Sequence, residues 1–187
     1  NQNISFNSYD SNGATTEGTN ILVLKRDGNV GIGTTSPSDY YPGADNLVVK
    51  QASGEGGISI VTANDTSGAI YFADGTTGDQ AYRGAISYSR PIDSMIFRTG
   101  GFNERMRIDS SGRVGIGVVP TDYYAGADNL VVGTGTGEGG ITLASAATNQ
   151  WNYILFADGT SGDSVLRGQI AYNHNTDQLA LCPQYEK

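Results

Sequence analysis

The 187 residues include 27 Gly but only 5 Pro, with 37% hydrophobic and 16% charged residues and a formal net charge of −8. The glycines keep no strict three-residue period and no stretch carries sustained heptads, which excludes collagen and a coiled coil. The acidic balance argues against nucleic acid or an anionic membrane surface as a partner held by bulk charge, and no window approaches the roughly 18 apolar residues of a membrane span.

Asn1-Gln2-Asn3 has neither an initiator Met nor a signal-peptide layout, so the chain reads as a fragment of something longer. Ile21 to Leu24 alternates at period 2 and runs into the turn dipeptide Asp27-Gly28. Val30-Gly31-Ile32-Gly33 follows, with branched aliphatics on one strand face and bare backbone on the other. Glycine lets chains crowd, so the bare face is expected to receive a neighbouring chain. Val30 and Ile32, with their counterparts Val114 and Ile116, are expected to form a core shared by three chains. Pro37 and Pro120 should end these strands. Further strands are expected at Ile58-Ser59-Ile60, Ile70-Tyr71-Phe72, Ala85-Ile86-Ser87-Tyr88 and Met106 to Ile108, with turns at Asp74-Gly75, Ser111-Gly112 and Asp158-Gly159. Such spacing predicts an all-β sandwich, barrel or fibre rather than βαβ units.

The chain also repeats itself. Gly28-Asn29-Val30-Gly31-Ile32-Gly33 returns as Gly112-Arg113-Val114-Gly115-Ile116-Gly117, and Asp39-Tyr40-Tyr41-Pro42-Gly43-Ala44-Asp45-Asn46 as Asp122-Tyr123-Tyr124-Ala125-Gly126-Ala127-Asp128-Asn129. A period of about 84 residues is too long for one solenoid rung, so each copy reads as several strands making a small knob. The phase gives residues 1–27 as the end of a truncated repeat, 28–111 as a complete one and 112–187 as a second, nearly complete one. Ile4-Ser5-Phe6 resembles Ile86-Ser87-Tyr88 in this phasing, and the last copy departs from the pattern at Cys182-Pro183-Gln184-Tyr185. The thin apolar supply suits a chain that completes its core with identical partners.

Candidate sites are few. The acidic glycine loops at Asp74 to Asp79 and Asp158 to Asp163 carry oxygen ligands of the kind Ca²⁺ takes, but turn formation explains them better, and no metal is assigned. Arg83 and Arg167 are expected to pair with the Asp of each loop. Tyr40, Tyr41, Tyr123, Tyr124 and Trp151 are candidate glycan contacts, because aromatic faces stack on sugar rings. Packing between chains explains the tyrosines at least as well. Trp151 is expected at an exposed loop tip. The lone His174 reads as a polar loop residue, and Cys182 as a small buried hydrophobe. No nucleophile motif, phosphate loop or cofactor motif is present, so no enzyme activity and no cofactor are expected.

The stretches Gly28 to Pro37 (GNVGIGTTSP) and Glu104 to Gly117 (ERMRIDSSGRVGIG) resemble the repeated module of bacteriophage tail-fibre proteins. That resemblance implies a homotrimer of parallel, intertwined β-rich chains in the virion. Its partners would be other tail proteins and a host-surface polysaccharide or protein receptor. Many such fibres end in an endosialidase-type chaperone domain, and no match to that domain occurs in this sequence. Three alternatives stay open: a polysaccharide-degrading tailspike, a virion head or decoration fibre, and a secreted adhesin.

Overall fold

The computed structural model describes residues 4–9 and 15–183, so Asn1-Gln2-Asn3 and Gln184-Tyr185 lie outside the described residues. Within them the chain is mostly β, with three sheets, and its only helices are short 3-10 turns. Two compact units divide it, Asn1–Ala63 and Asn64–Lys187.

The first unit holds a four-stranded sheet of β1 (Ile4–Tyr9), β2 (Thr15–Leu24), β3 (Val30–Ile32) and β4 (Leu47–Val49), in that order. The first three strands are antiparallel, whereas β3 and β4 run parallel. Gly28, at φ +95°, makes the turn between β2 and β3, where the Lys25 N–H donates to Asn29 O at 2.8 Å. A parallel neighbour needs a longer crossover. Here it starts with a 3-10 turn at Pro37–Asp39, with buried Pro37 at its first position.

The second unit holds a six-stranded and a three-stranded sheet. The larger consists of β5 (Ser67–Phe72), β6 (Gly84–Ser89), β7 (Ser94–Thr99), β8 (Glu104–Ile108), β9 (Val114–Ile116) and β10 (Leu130–Val132). Its neighbours are antiparallel up to β9, which pairs with β10 in parallel. The smaller is β11 (Trp151–Phe156), β12 (Gly168–Asn173) and β13 (Gln178–Pro183), all antiparallel.

Several expectations need correction. Among the described residues Ile58-Ser59-Ile60 joins no strand, because alternation alone supplies no ladder partner. Asp74-Gly75 and Asp158-Gly159 do not close tight hairpins: each opens a longer connection through a 3-10 turn, at Gly78–Tyr82 and Gly162–Val165. Trp151 begins β11 rather than occupying a loop tip, paired with Asn173 and stacked on Tyr153 at 6.0 Å between ring centroids. Cys182 is exposed, because it lies on β13, the last strand of its sheet. Finally, β1 pairs with β2 through Ile4↔Leu24, as β7 pairs with β8 through Met95↔Ile108. Ile4-Ser5-Phe6 therefore answers to Met95-Ile96-Phe97, not to Ile86-Ser87-Tyr88.

Candidate functional site

The four- and six-stranded sheets are largely covered on the face that carries small residues, whereas in the three-stranded sheet Ala171 is buried but Trp151, Tyr153 and Leu155 on the same face stay exposed. In the first unit Val23 and Val48 are buried with Gly31 between them. A Cβ at Gly31 would lie 2.4 Å from Thr34 O, and one at Gly115 2.2 Å from Val118 O and 2.7 Å from Pro120 Cδ. The bare glycine face is thus filled by the turn that follows in the same chain, which corrects the expectation that a neighbouring chain would lie there. In the six-stranded sheet, Ala85, Ser87, Ser94 and Ile96 are buried on the matching face. Their hydroxyls are satisfied internally, for example Ser94 Oγ to Ile92 O at 2.9 Å.

The opposite faces carry the large apolar side chains, and these are open. Strand register aligns Ile70, Ile86, Phe97, Met106, Ile116 and Val132 in one row across all six strands. A second row runs Tyr88, Met95, Ile108, Val114 and Leu130. The four-stranded sheet repeats the pattern with Phe6, Leu22, Ile32 and Val49, and with Ile4, Leu24, Val30 and Leu47. The three-stranded sheet does so with Ile154, Ile170 and Leu181. Ile70 is 52% exposed, Leu130 57%, Phe6 56% and Leu181 71%. Val30, Ile32, Val114 and Ile116 all lie on these open rows. Their row partners were invisible to sequence reasoning, since only the cross-strand register assigns them to one face.

The loops between β3 and β4 and between β9 and β10 present the tyrosines. Tyr41 is 77% exposed and Tyr124 81%, each with its ring against the glycine two residues on, Gly43 or Gly126. Tyr40 and Tyr123 are less open. Both loops are pinned at their base, though by different chemistry. Asn29 donates to Asp45 at 3.0 Å, whereas Arg113 bridges Asp109 and Asp128 at 2.8 and 3.0 Å. Burial works against the Asp109 charge, but hydrogen bonds from the Arg113 side chain and from the Arg113 and Ser111 N–H groups outweigh it. They hold its carboxyl below the usual range.

The other polar candidates are paired internally. Arg83 meets Asp74 at 3.2 Å and Arg167 meets Asp158 at 2.9 Å, as expected from sequence. His174 lies in the turn after β12, its Nε2 3.1 Å from Asn152 Oδ1. A recess of about 270 Å³ is lined by Glu104, Arg105, Arg107, Gly117, Val118 and Val119, but Glu104 already chelates Arg107 through both oxygens. Among the described residues no three His, Cys, Asp or Glu side chains converge as metal ligands would, and no helix is long and apolar enough to cross a membrane. No protein-family model matches the chain, and no curated protein matches it either.

Proposed function

We propose that this chain is a structural segment of a bacteriophage tail-fibre shaft. In this reading it is non-enzymatic and homotrimeric, with two knobs of about 84 residues, and it supports attachment of the virion to a host-surface polysaccharide or protein. One observation carries the reading: each sheet leaves a face of large apolar side chains open, and in the four- and six-stranded sheets the opposite face is largely closed by the same chain. Contiguous apolar patches above a few hundred Å² mark interaction surfaces. Three copies pooling these faces around a common axis would supply the core that one copy lacks.

Sedimentation and native mass measurement test the assembly, with three chains per particle as the expected result. A stable folded monomer would overturn it. Labelled protein retained on host cells, and particle images placing it in the tail, are the expected results for the attachment role. Location on the head would favour a decoration fibre instead.

A further inference from the structure

Strand for strand, β11, β12 and β13 of the second repeat answer to β5, β6 and β7 of the first. Their open apolar face is kept: Ile70, Ile86 and Phe97 become Ile154, Ile170 and Leu181. The other face is rewritten. Ser67, Ala69 and Tyr71 of β5 give way to Trp151, Tyr153 and Leu155 of β11. In register beside them, Ser89 and Ser94 give way to Asn173 and Gln178, and Ala85 to Gln169. Trp151 and Tyr153 are 44% and 47% exposed, with rings within 10° of parallel. Their exposure does not follow from the smaller sheet having fewer strands, because Ser67 and Tyr71 are exposed at the same positions of the six-stranded sheet.

We infer that this face of β11, β12 and β13 binds an uncharged glycan. Pyranose rings would lie over Trp151 and Tyr153, since the electron-rich face of an aromatic ring attracts the C–H face of a sugar. The amides of Asn173, Gln178 and Gln169 both donate and accept, as sugar hydroxyls do. Trp151, Tyr153, Leu155 and these amides carry no charge in a chain of net charge −8, which suits a neutral sugar and disfavours an anionic one. A second copy fits less well: three residues from each of three strands fall short of the roughly 20–30 a side of a stable interface. Side chains alternate across a strand, so with Ile154, Ile170 and Leu181 turned to a shared core this face would point outward. The site deepens the attachment role proposed above and rests on it for its natural ligand.

Trp151 is the single tryptophan, so its emission reports on the face directly. Titration of the whole chain with oligosaccharides of glucose, galactose, mannose and N-acetylglucosamine should shift that emission saturably for at least one of them. Sialylated and uronic-acid oligosaccharides should leave it unchanged. Tyr153→Ala should weaken the response about 10-fold and Gln178→Ala about 3-fold, with strand circular dichroism retained. Gln178 is exposed on the outer strand, so its variant decides the matter if Tyr153→Ala fails to fold. No saturable response to any neutral sugar, a response to anionic sugars alone, or full affinity in the folded variants would each overturn the inference. So would variants that lose oligomer size, because the face would then lie between copies. Parent and Tyr153→Ala retained equally on host cells would overturn this site and leave the attachment role standing. A parent that binds the sugar but no host cell would overturn the attachment role and leave the site.

Discussion

Arg113 donates to Asp128 across 15 positions of sequence, Nη1 to Oδ2 at 3.0 Å, and joins the turn before β9 to the loop before β10. The same guanidinium holds Asp109, whose carboxyl sits below the usual range. A carboxylate with a lowered pKa in the folded state stabilises above its unfolded pKa, and that contribution is lost as pH falls through the folded value. The melting temperature should therefore decline with acid from about pH 4 downward. Asp109→Asn should lower it at pH 7 and flatten the acid limb. Thermal melts between pH 7 and pH 2 check both.

Gly31→Ala and Gly115→Ala should each destabilise by about 1–3 kcal/mol, because the new methyl meets a backbone carbonyl that cannot swing away. Gly84→Ala serves as a control, since its Cβ would find its nearest neighbour at 3.5 Å, an ordinary contact. Equal losses in all three variants, measured by chemical denaturation, would refute the crowding argument.

The two sheet faces should respond differently to truncation. Ile96 is 1% exposed within its own chain, so Ile96→Ala should cost about 2–5 kcal/mol at any protein concentration. Val30→Ala with Ile32→Ala should act on association instead. The particle should dissociate at concentrations where the parent stays assembled, with the strand signal of each chain retained. Sedimentation against concentration, paired with circular dichroism, reads both effects.

Tyr41→Ala and Tyr124→Ala remove rings that are more than three-quarters exposed. Their stability should change by no more than about 0.5 kcal/mol, as at surface sites generally. A large drop in melting temperature would instead show these rings packed between chains. Loss of retention on host cells with unchanged stability would assign them to receptor contact.

Much of the strand content could be read from alternation. The core strands of β2, β5, β6 and β8 fall where period 2 is strongest, and Gly28 and Gly112 make the turns their dipeptides indicate. Pairing was less legible. Ile58-Ser59-Ile60 has the same alternation as Ile70-Tyr71-Phe72, yet among the described residues only the latter forms a strand with a ladder partner. The role of Gly31 was half legible: sequence gives a bare face but not that Thr34 returns to fill it. The open rows could not be assembled from sequence, because Ile70 and Val132 share a row only through four intervening strands.

The closure of Gly31 by Thr34, and of Gly115 by Pro120, bears on the order in which such a particle is made. Each chain can complete its small-residue face alone, in a step whose rate does not depend on concentration. In the proposed trimer, joining the apolar faces would be a later, higher-order step that slows sharply on dilution. On that proposal a chain with closed small-residue faces and open apolar faces would stand between the two steps. Dilute refolding should stall at that species, and the yield of intact particle should climb steeply with chain concentration until aggregation competes.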